Sequence, residues 1–291
     1  MKKQKQPVRA RALPNDESLL RQLWNDPMGR AGMLGVLLII LMAVFAPLLA
    51  PYDVAKMHAR DKLIGPCASY WFGTDHFGRD VFSRIVYGAR VSLVVGIVAV
   101  GIAAGFGYLF GMIAGFFEGW VETAIMMVMD IIFAFPSILL ALFIVAVLGT
   151  SIVNTMIAIG IVNIPVFART VRASVKSVKS TDYIANARSI GLKKLSILFR
   201  HVTPNVMAPF TVQATLALSG AILTEASMSF LGLGIQPPNP SWGSMLSDAR
   251  KYMERAPWLV IFPALFIIMT ILSFNILGDA LRDVLDPKLK L

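Results

Sequence analysis

Long apolar runs, separated by shorter polar stretches, dominate the pattern along this chain. Six runs stand out, at residues 31–50, 91–117, 121–148, 152–168, 206–233 and 257–281. Each is near the roughly 20 residues that a helix needs to cross the hydrocarbon core of a bilayer. The fourth is short and contains Pro165. No run shows the alternating ten-residue pattern of a barrel strand, and an open sheet edge cannot exist in lipid. The pattern therefore predicts an all-α integral membrane protein with six transmembrane helices. It divides the chain into a polar segment, 1–30, a six-helix domain, 31–281, with a long polar loop at 169–205, and a tail, 282–291.

Composition supports lipid as the solvent. Of the 291 residues, 56% are hydrophobic and 15% charged, against about 25% charged in an ordinary soluble domain. A net charge of +10 is compatible with nucleic-acid binding until its placement is considered: the charges flank the apolar runs, as they do in membrane proteins. An N-terminus on the cytoplasmic side places segments 1–30, 169–201 and 282–291 there with 18 basic residues, against 9 in segments 51–90 and 234–256. That bias predicts both termini inside, and six crossings return the chain to its starting side. The charged lead before residue 31 is longer than that of a signal peptide, so the first run is expected to be an uncleaved span. One cysteine, Cys67, excludes an internal disulfide and a multi-cysteine metal cluster.

Within the second run, Gly101, Gly105, Gly107, Gly111 and Gly115 form a small-residue stripe that lets a neighbouring helix approach closely. Residues 18–24, Ser-Leu-Leu-Arg-Gln-Leu-Trp, form an amphipathic patch. It is either an interfacial helix or an unstructured tail. The loop 169–205 is the most patterned polar segment. Arg169, Arg172, Lys176 and Lys179 recur at helical steps. Thr181 or Asp182 is placed to start a helix and Gly191 to end one, which predicts a helix of about two turns between them. Pro204 in His201-Val-Thr-Pro-Asn205 marks a helix boundary. A short helix on a stiff hairpin suits docking into another protein's groove; the plainer alternative is a basic loop held by anionic lipid.

The run Asp182-Tyr183-Ile184-Ala185-Asn186-Ala187-Arg188-Ser189-Ile190-Gly191, followed by His201 and Pro204-Asn205, resembles the coupling loop of ABC-importer permeases. The family's pattern is Glu-Ala-Ala, three residues, Gly, and a later Pro. Ala187 and Gly191 match it. Ala185 stands where the Glu is expected and Asn186 where the first Ala is, so any ion pair made by that Glu is absent. Three further blocks are similar to the peptide and nickel branch: Phe72-Gly-Thr-Asp-His-Phe-Gly-Arg-Asp-Val-Phe-Ser-Arg84 with Tyr87-Gly-Ala-Arg-Val-Ser-Leu93; Asp130-Ile-Ile-Phe-Ala-Phe-Pro136; and the segment from Glu225 to Gly243. The resemblance extends from about residue 31 to 287 and is to the second permease of the dipeptide, oligopeptide and nickel importers.

The resemblance implies a multi-pass protein of the bacterial inner membrane. It also implies a homologous second permease, two cytoplasmic ATPase subunits and an extracytoplasmic substrate-binding protein as partners. ATP and Mg would belong to the ATPase subunits; this chain would hold no cofactor and would not itself be an enzyme. It contains no Gly-x-x-x-x-Gly-Lys-[Ser/Thr] phosphate loop. Short peptides are the expected solutes, with nickel complexes, glutathione or another peptide-like solute as alternatives. Coupling to the ATPase would fall to Asp182, Tyr183, Ala185, Asn186, Ala187, Arg188, Gly191, His201 and Pro204.

Asp130 and Glu225 lie inside apolar runs, where an unpaired carboxylate costs on the order of 3 kcal/mol. They either line the path or hydrogen-bond to a neighbouring helix. Pro136 removes a backbone hydrogen bond and is placed to kink the third span. His58, Asp61, Cys67, Asp75 and His76 match no standard metal-ligand spacing, and Asp75 is better read as a turn or cap residue. An ion-gradient transporter using Asp130 and Glu225 and a non-transporting scaffold remain as rival readings.

Overall fold

The computed structural model describes residues 19–285. The predicted segments 1–30 and 282–291 are therefore seen only in part, as is the amphipathic patch, whose Ser18 lies outside the described residues. Among the described residues the chain is helical, apart from turns and one isolated bridge between Thr74 and Asp80.

A short helix, α1 (Leu19–Asn25), leads into α2 (Pro27–Val44). Asp26 caps α2, its carboxylate accepting from the Gly29 amide at 2.6 Å, and Pro27 takes the first turn, where its missing N–H is not needed. The single turn α3 (Ala46–Leu49) precedes a long ordered loop. The second span, α4 (Val81–Phe116), starts at Val81 rather than at residue 91. Hydropathy does not mark that start, because Arg84 and Arg90 fall within the first turns. The Asp80 carboxylate caps it, accepting from the Ser83 amide at 2.8 Å.

The third run is not one helix. α5 (Trp120–Phe133) and α6 (Ser137–Leu148) meet at 88° around Pro136. α7 (Ile152–Lys179) continues well beyond residue 168 and absorbs Pro165 without ending. After α8 (Asp182–Ser189) and α9 (Lys194–Ile197), a π turn over Leu198–Val202 feeds α10 (Thr203–Phe230). Pro204 lies in the first turn of α10, at the helix boundary that it marks in the sequence. It cannot donate a backbone hydrogen bond, and the widened turn lies just before it. α11 (Trp242–Ala249) and α12 (Trp258–Leu285) complete the chain. Five helical stretches are each long and apolar enough to cross a membrane, and α5 with α6 makes a sixth if the bent pair is one broken span.

α4 and α7 form the spine. A Cβ on Gly111 would lie 2.6 Å from the Ala168 carbonyl oxygen, and one on Gly115 would lie 2.7 Å from the Val175 Cβ. These glycines and Gly107 therefore let the two backbones approach closely, which matters where no hydrophobic effect drives helices together. Gly101 and Gly105 continue the stripe in sequence but face nothing within 4 Å. α2 packs on α12, with Gly32 against Leu277. α11 is buried at one end of the bundle, where the Trp242 indole donates to the Ile85 carbonyl at 3.0 Å.

Candidate functional site

The polar hairpin after α7 is built on an apolar root. Ile184 and Ala187, three residues apart and so on one face of α8, are buried against Met112, Phe116, Val175, Ile197, Val202 and Val206. The other face, with Asp182, Ala185 and Asn186, is exposed. Thr181 turns its hydroxyl back to the Val178 carbonyl at 2.6 Å, while its own carbonyl accepts from the amides of Ile184 and Ala185 at 3.1 and 3.2 Å.

The other end of α8 closes on Gly191. Its φ of +81° is the left-handed conformation that glycine adopts without a Cβ penalty. The Leu192 amide reaches back to the Ala187 carbonyl at 3.2 Å, the six-to-one bond of a Schellman ending. Beyond α8, Ile190 is 77% exposed, and Leu195 and Phe199 are also exposed. The hairpin therefore presents apolar side chains outward from a base that is already packed.

Three residues fasten α8 to the root of α10. The His201 carbonyl accepts from Asn205 Nδ2 at 2.7 Å and from the Tyr183 hydroxyl at 3.4 Å, and Asn205 Nδ2 also lies 3.2 Å from that hydroxyl. Tyr183 and His201 thus serve the hairpin's own geometry. The side chain of Arg188 lies outside the described part of the structure.

The basic stripe that precedes α8 lies on α7 and faces carboxylates of this same chain. Lys179 donates to Glu118 at 2.8 Å and to the Phe116 carbonyl at 2.9 Å. Glu122 takes both Arg172 and, at 2.5 Å, Lys176. Asp130 accepts from Arg169 at 2.7 Å, and that guanidinium lies 4.0 Å over the Phe133 ring. Hydrogen bonding from Lys179 lowers the Glu118 pKa below the ordinary carboxylate value. Glu118 and Glu122 were not singled out in the sequence. The available signal was an acidic residue at 118, in the turn before α5, and two more at 122 and 130 on α5, opposing basic residues at 169, 172, 176 and 179 on α7 in antiparallel order.

The two intramembrane carboxylates occupy different environments. Asp130 is exposed in the isolated chain and paired with Arg169. Glu225 is 0% exposed and accepts from the hydroxyls of Ser92 and Ser229, both at 2.8 Å. Pro136 caps α6 at the 88° break.

At the opposite end of the bundle, Asp75 organises the loop after α3. It accepts from the amides of Phe77 and Arg79 at 2.8 and 2.9 Å and pairs with the Arg79 side chain at 2.6 Å. Asp61 accepts from the Tyr70 hydroxyl at 2.9 Å. That hydrogen bond, helped by burial, raises the Tyr70 pKa to about 12. His76 stacks on Tyr252 with ring centroids 5.0 Å apart, and burial lowers its pKa. Among the described residues, no three His, Cys, Asp or Glu side chains converge as a metal site would require.

Comparison with known proteins fits this architecture. Residues 107–291 match the family described as binding-protein-dependent transport system inner membrane component. Residues 18–66 match the N-terminal transmembrane domain of oligopeptide transport permease C. A dipeptide transport system permease protein of Alkalihalophilus pseudofirmus is 49% identical over 270 residues, covering 93% of this chain and 89% of that protein. Glutathione transport system permease proteins of Escherichia coli and Shigella boydii are 47% identical over 271 residues with the same coverage. These relatives are all transport system permease proteins. The chain belongs to the binding-protein-dependent transport inner membrane component family and is a multi-pass ABC-importer permease of the dipeptide and oligopeptide branch.

Proposed function

We propose that α8 is the element through which a cytoplasmic ATPase subunit drives this permease. The observation that carries the reading is the division of the hairpin. Ile184 and Ala187 are sunk in the bundle, whereas Asp182, Ala185, Asn186 and Ile190 point away from it. Force applied to the outer face would pass into α7 and α10 with little lost to local bending. On this reading Asp182, Ala185, Asn186 and Arg188 meet the ATPase, while Tyr183, Ala187, Gly191, His201 and Pro204 hold the hairpin's shape. The Glu of the family pattern is replaced by exposed Ala185, so docking here depends on shape and apolar contact.

The α8 end of the bundle is then cytoplasmic, with both chain termini on that side. The working complex pairs this chain with a homologous permease. Two ATPase subunits bind and hydrolyse ATP with Mg, and an extracytoplasmic binding protein delivers the solute. Short peptides are the substrate class, supported by the dipeptide and glutathione relatives; glutathione is itself a tripeptide. Closure of the ATPase pair around nucleotide would swing the hairpin and alternate access to a path between the two permeases.

Co-purification tests the docking role. Gly191→Trp should abolish retention of co-expressed ATPase subunits and uptake, while the protein remains in the membrane. Unchanged retention together with unchanged uptake would refute the assignment.

A further inference from the structure

Helix-weakening residues divide the bundle at one level. α6 packs through Ala141 and Val145 into a cluster with Ala158, Ile159 and Val162 of α7, on the N-terminal side of Pro165. α5 packs through Met129 against Ile164 and Ala168, its carboxylates Glu122 and Asp130 pair with Arg169, Arg172 and Lys176, and Glu118 just before it pairs with Lys179, all four cations lying on the C-terminal side of Pro165. The 88° break at Pro136 therefore lies beside the proline of α7. Each proline removes a helical hydrogen bond. At the neighbouring level Phe210, which follows Pro209 inside α10, meets Phe167 and Tyr108 at ring centroid distances of 5.8 and 5.4 Å.

α6 packs on α7 through small apolar side chains, and Asn154 of α7 donates to the Leu148 and Gly149 carbonyls at the end of α6, both at 2.9 Å; among the described residues no ion pair crosses this contact. The α5 contact is different. Glu122 is 12% exposed at its side chain and bridges two cations one turn apart on α7. Pulling α5 away from α7 would strip this carboxylate of both partners at once, which costs more than separating a single exposed pair.

We propose that Glu122 is a positioning residue of the transport cycle. By bridging Arg172 and Lys176 it locks α5 to the lower half of α7, so that these segments and α8 swing as one arm about the level of Pro136 and Pro165. Asp130 with Arg169 and Glu118 with Lys179 form the outer rungs of the same ladder. The inference rests on α8 as the ATPase contact; it adds which parts of the bundle must follow α8 and which residue makes them follow.

The test uses the assembled complex with Cys67→Ser, carrying spin labels at two pairs of introduced cysteines. Trp120→Cys with Ser180→Cys reports within the arm, and Leu139→Cys with Ser180→Cys reports across the break. The Trp120 and Leu139 side chains are 80% and 62% exposed, so both sites accept a label. Between the nucleotide-free and ATP-trapped states the first distance should stay fixed and the second should shift. Glu122→Gln should let the first distance change as well. It should lower solute carried per ATP hydrolysed about threefold or more, with Glu122→Asp recovering most of the loss. Equal movement of both pairs in the native complex, or native stoichiometry in Glu122→Gln, would overturn the proposal. ATPase retention, scored on the same preparations, reports separately on the docking role of α8.

Discussion

The hydroxyl of Ser92 donates to Glu225 at 2.8 Å, tying α4 to α10 through a carboxyl group with no exposed surface. Ser229, one turn along α10, donates to the other carboxyl oxygen at 2.8 Å and in turn accepts from the Ile235 amide at 3.1 Å. The group thus connects two spans and the turn that follows α10. Inside a bilayer there is no water to replace such partners, so this small network fixes how the two helices meet.

Replacing Glu225 should therefore weaken the bundle before it alters solute choice. Glu225→Ala leaves buried polar groups short of a partner, at about 1–3 kcal/mol. It should visibly lower the thermal unfolding temperature in detergent. Glu225→Gln keeps a carbonyl acceptor at the same place and should lose less. Equal stability for Glu225→Ala and native protein would contradict the structural role.

The glycines of α4 should divide into two classes. Gly111→Leu cannot fit, since its Cβ alone would sit 2.6 Å from the Ala168 carbonyl oxygen; it should prevent α4 from packing on α7 and abolish the folded fraction on size-exclusion chromatography. Gly101 meets nothing within 4 Å, so Gly101→Ala should be tolerated and should stabilise the helix by roughly 0.5–1 kcal/mol.

Acid should loosen the loop end of the bundle through His76. Burial lowers its folded-state pKa below 6.5, so the unfolded chain binds the proton more readily. Stability from the neutral ring is complete above about pH 6.5 and is lost as pH falls towards the lowered folded value. Asp75 and Asp248 favour the charged ring, whereas Arg79 and Arg84 oppose it. Proteolysis of the 51–80 loop should rise between neutral and mildly acidic pH, and His76→Phe, which keeps a ring against Tyr252, should flatten that rise.

At Gly191 the conformation matters and the space does not, because a Cβ there meets nothing within 4 Å. Gly191→Val should cost about 1–2 kcal/mol through the left-handed backbone and uncouple ATP hydrolysis from uptake. Gly191→Asn, which tolerates that conformation, should stay close to native. Indistinguishable uptake by the two variants would refute the role given to this turn.

The elements read correctly from sequence are those governed by local rules. α8 was legible because Thr181, Asp182 and Gly191 are end signals, and the apolar runs revealed the spans because lipid imposes its thickness on each. What escaped depended on residues distant in the chain. The stripe Arg169, Arg172, Lys176 and Lys179 looks like a free basic face in sequence, yet its partners lie some 40 to 60 residues earlier. The start of α4 at Val81 was hidden because Arg84 is charged by hydropathy but buried in the fold, where it donates to the Val54 carbonyl at 3.1 Å. Pro136 announced a kink; its size depends on α6 turning to pack on α7.

Site-specific cross-linking from α8 tests the account most directly. Asn186→Cys, in a Cys67→Ser background and carrying a short photoreactive group, should form an adduct with a co-expressed ATPase subunit inside intact cells. An adduct with the extracytoplasmic binding protein instead, or labelling of Asn186→Cys by a membrane-impermeant thiol reagent added outside, would contradict it.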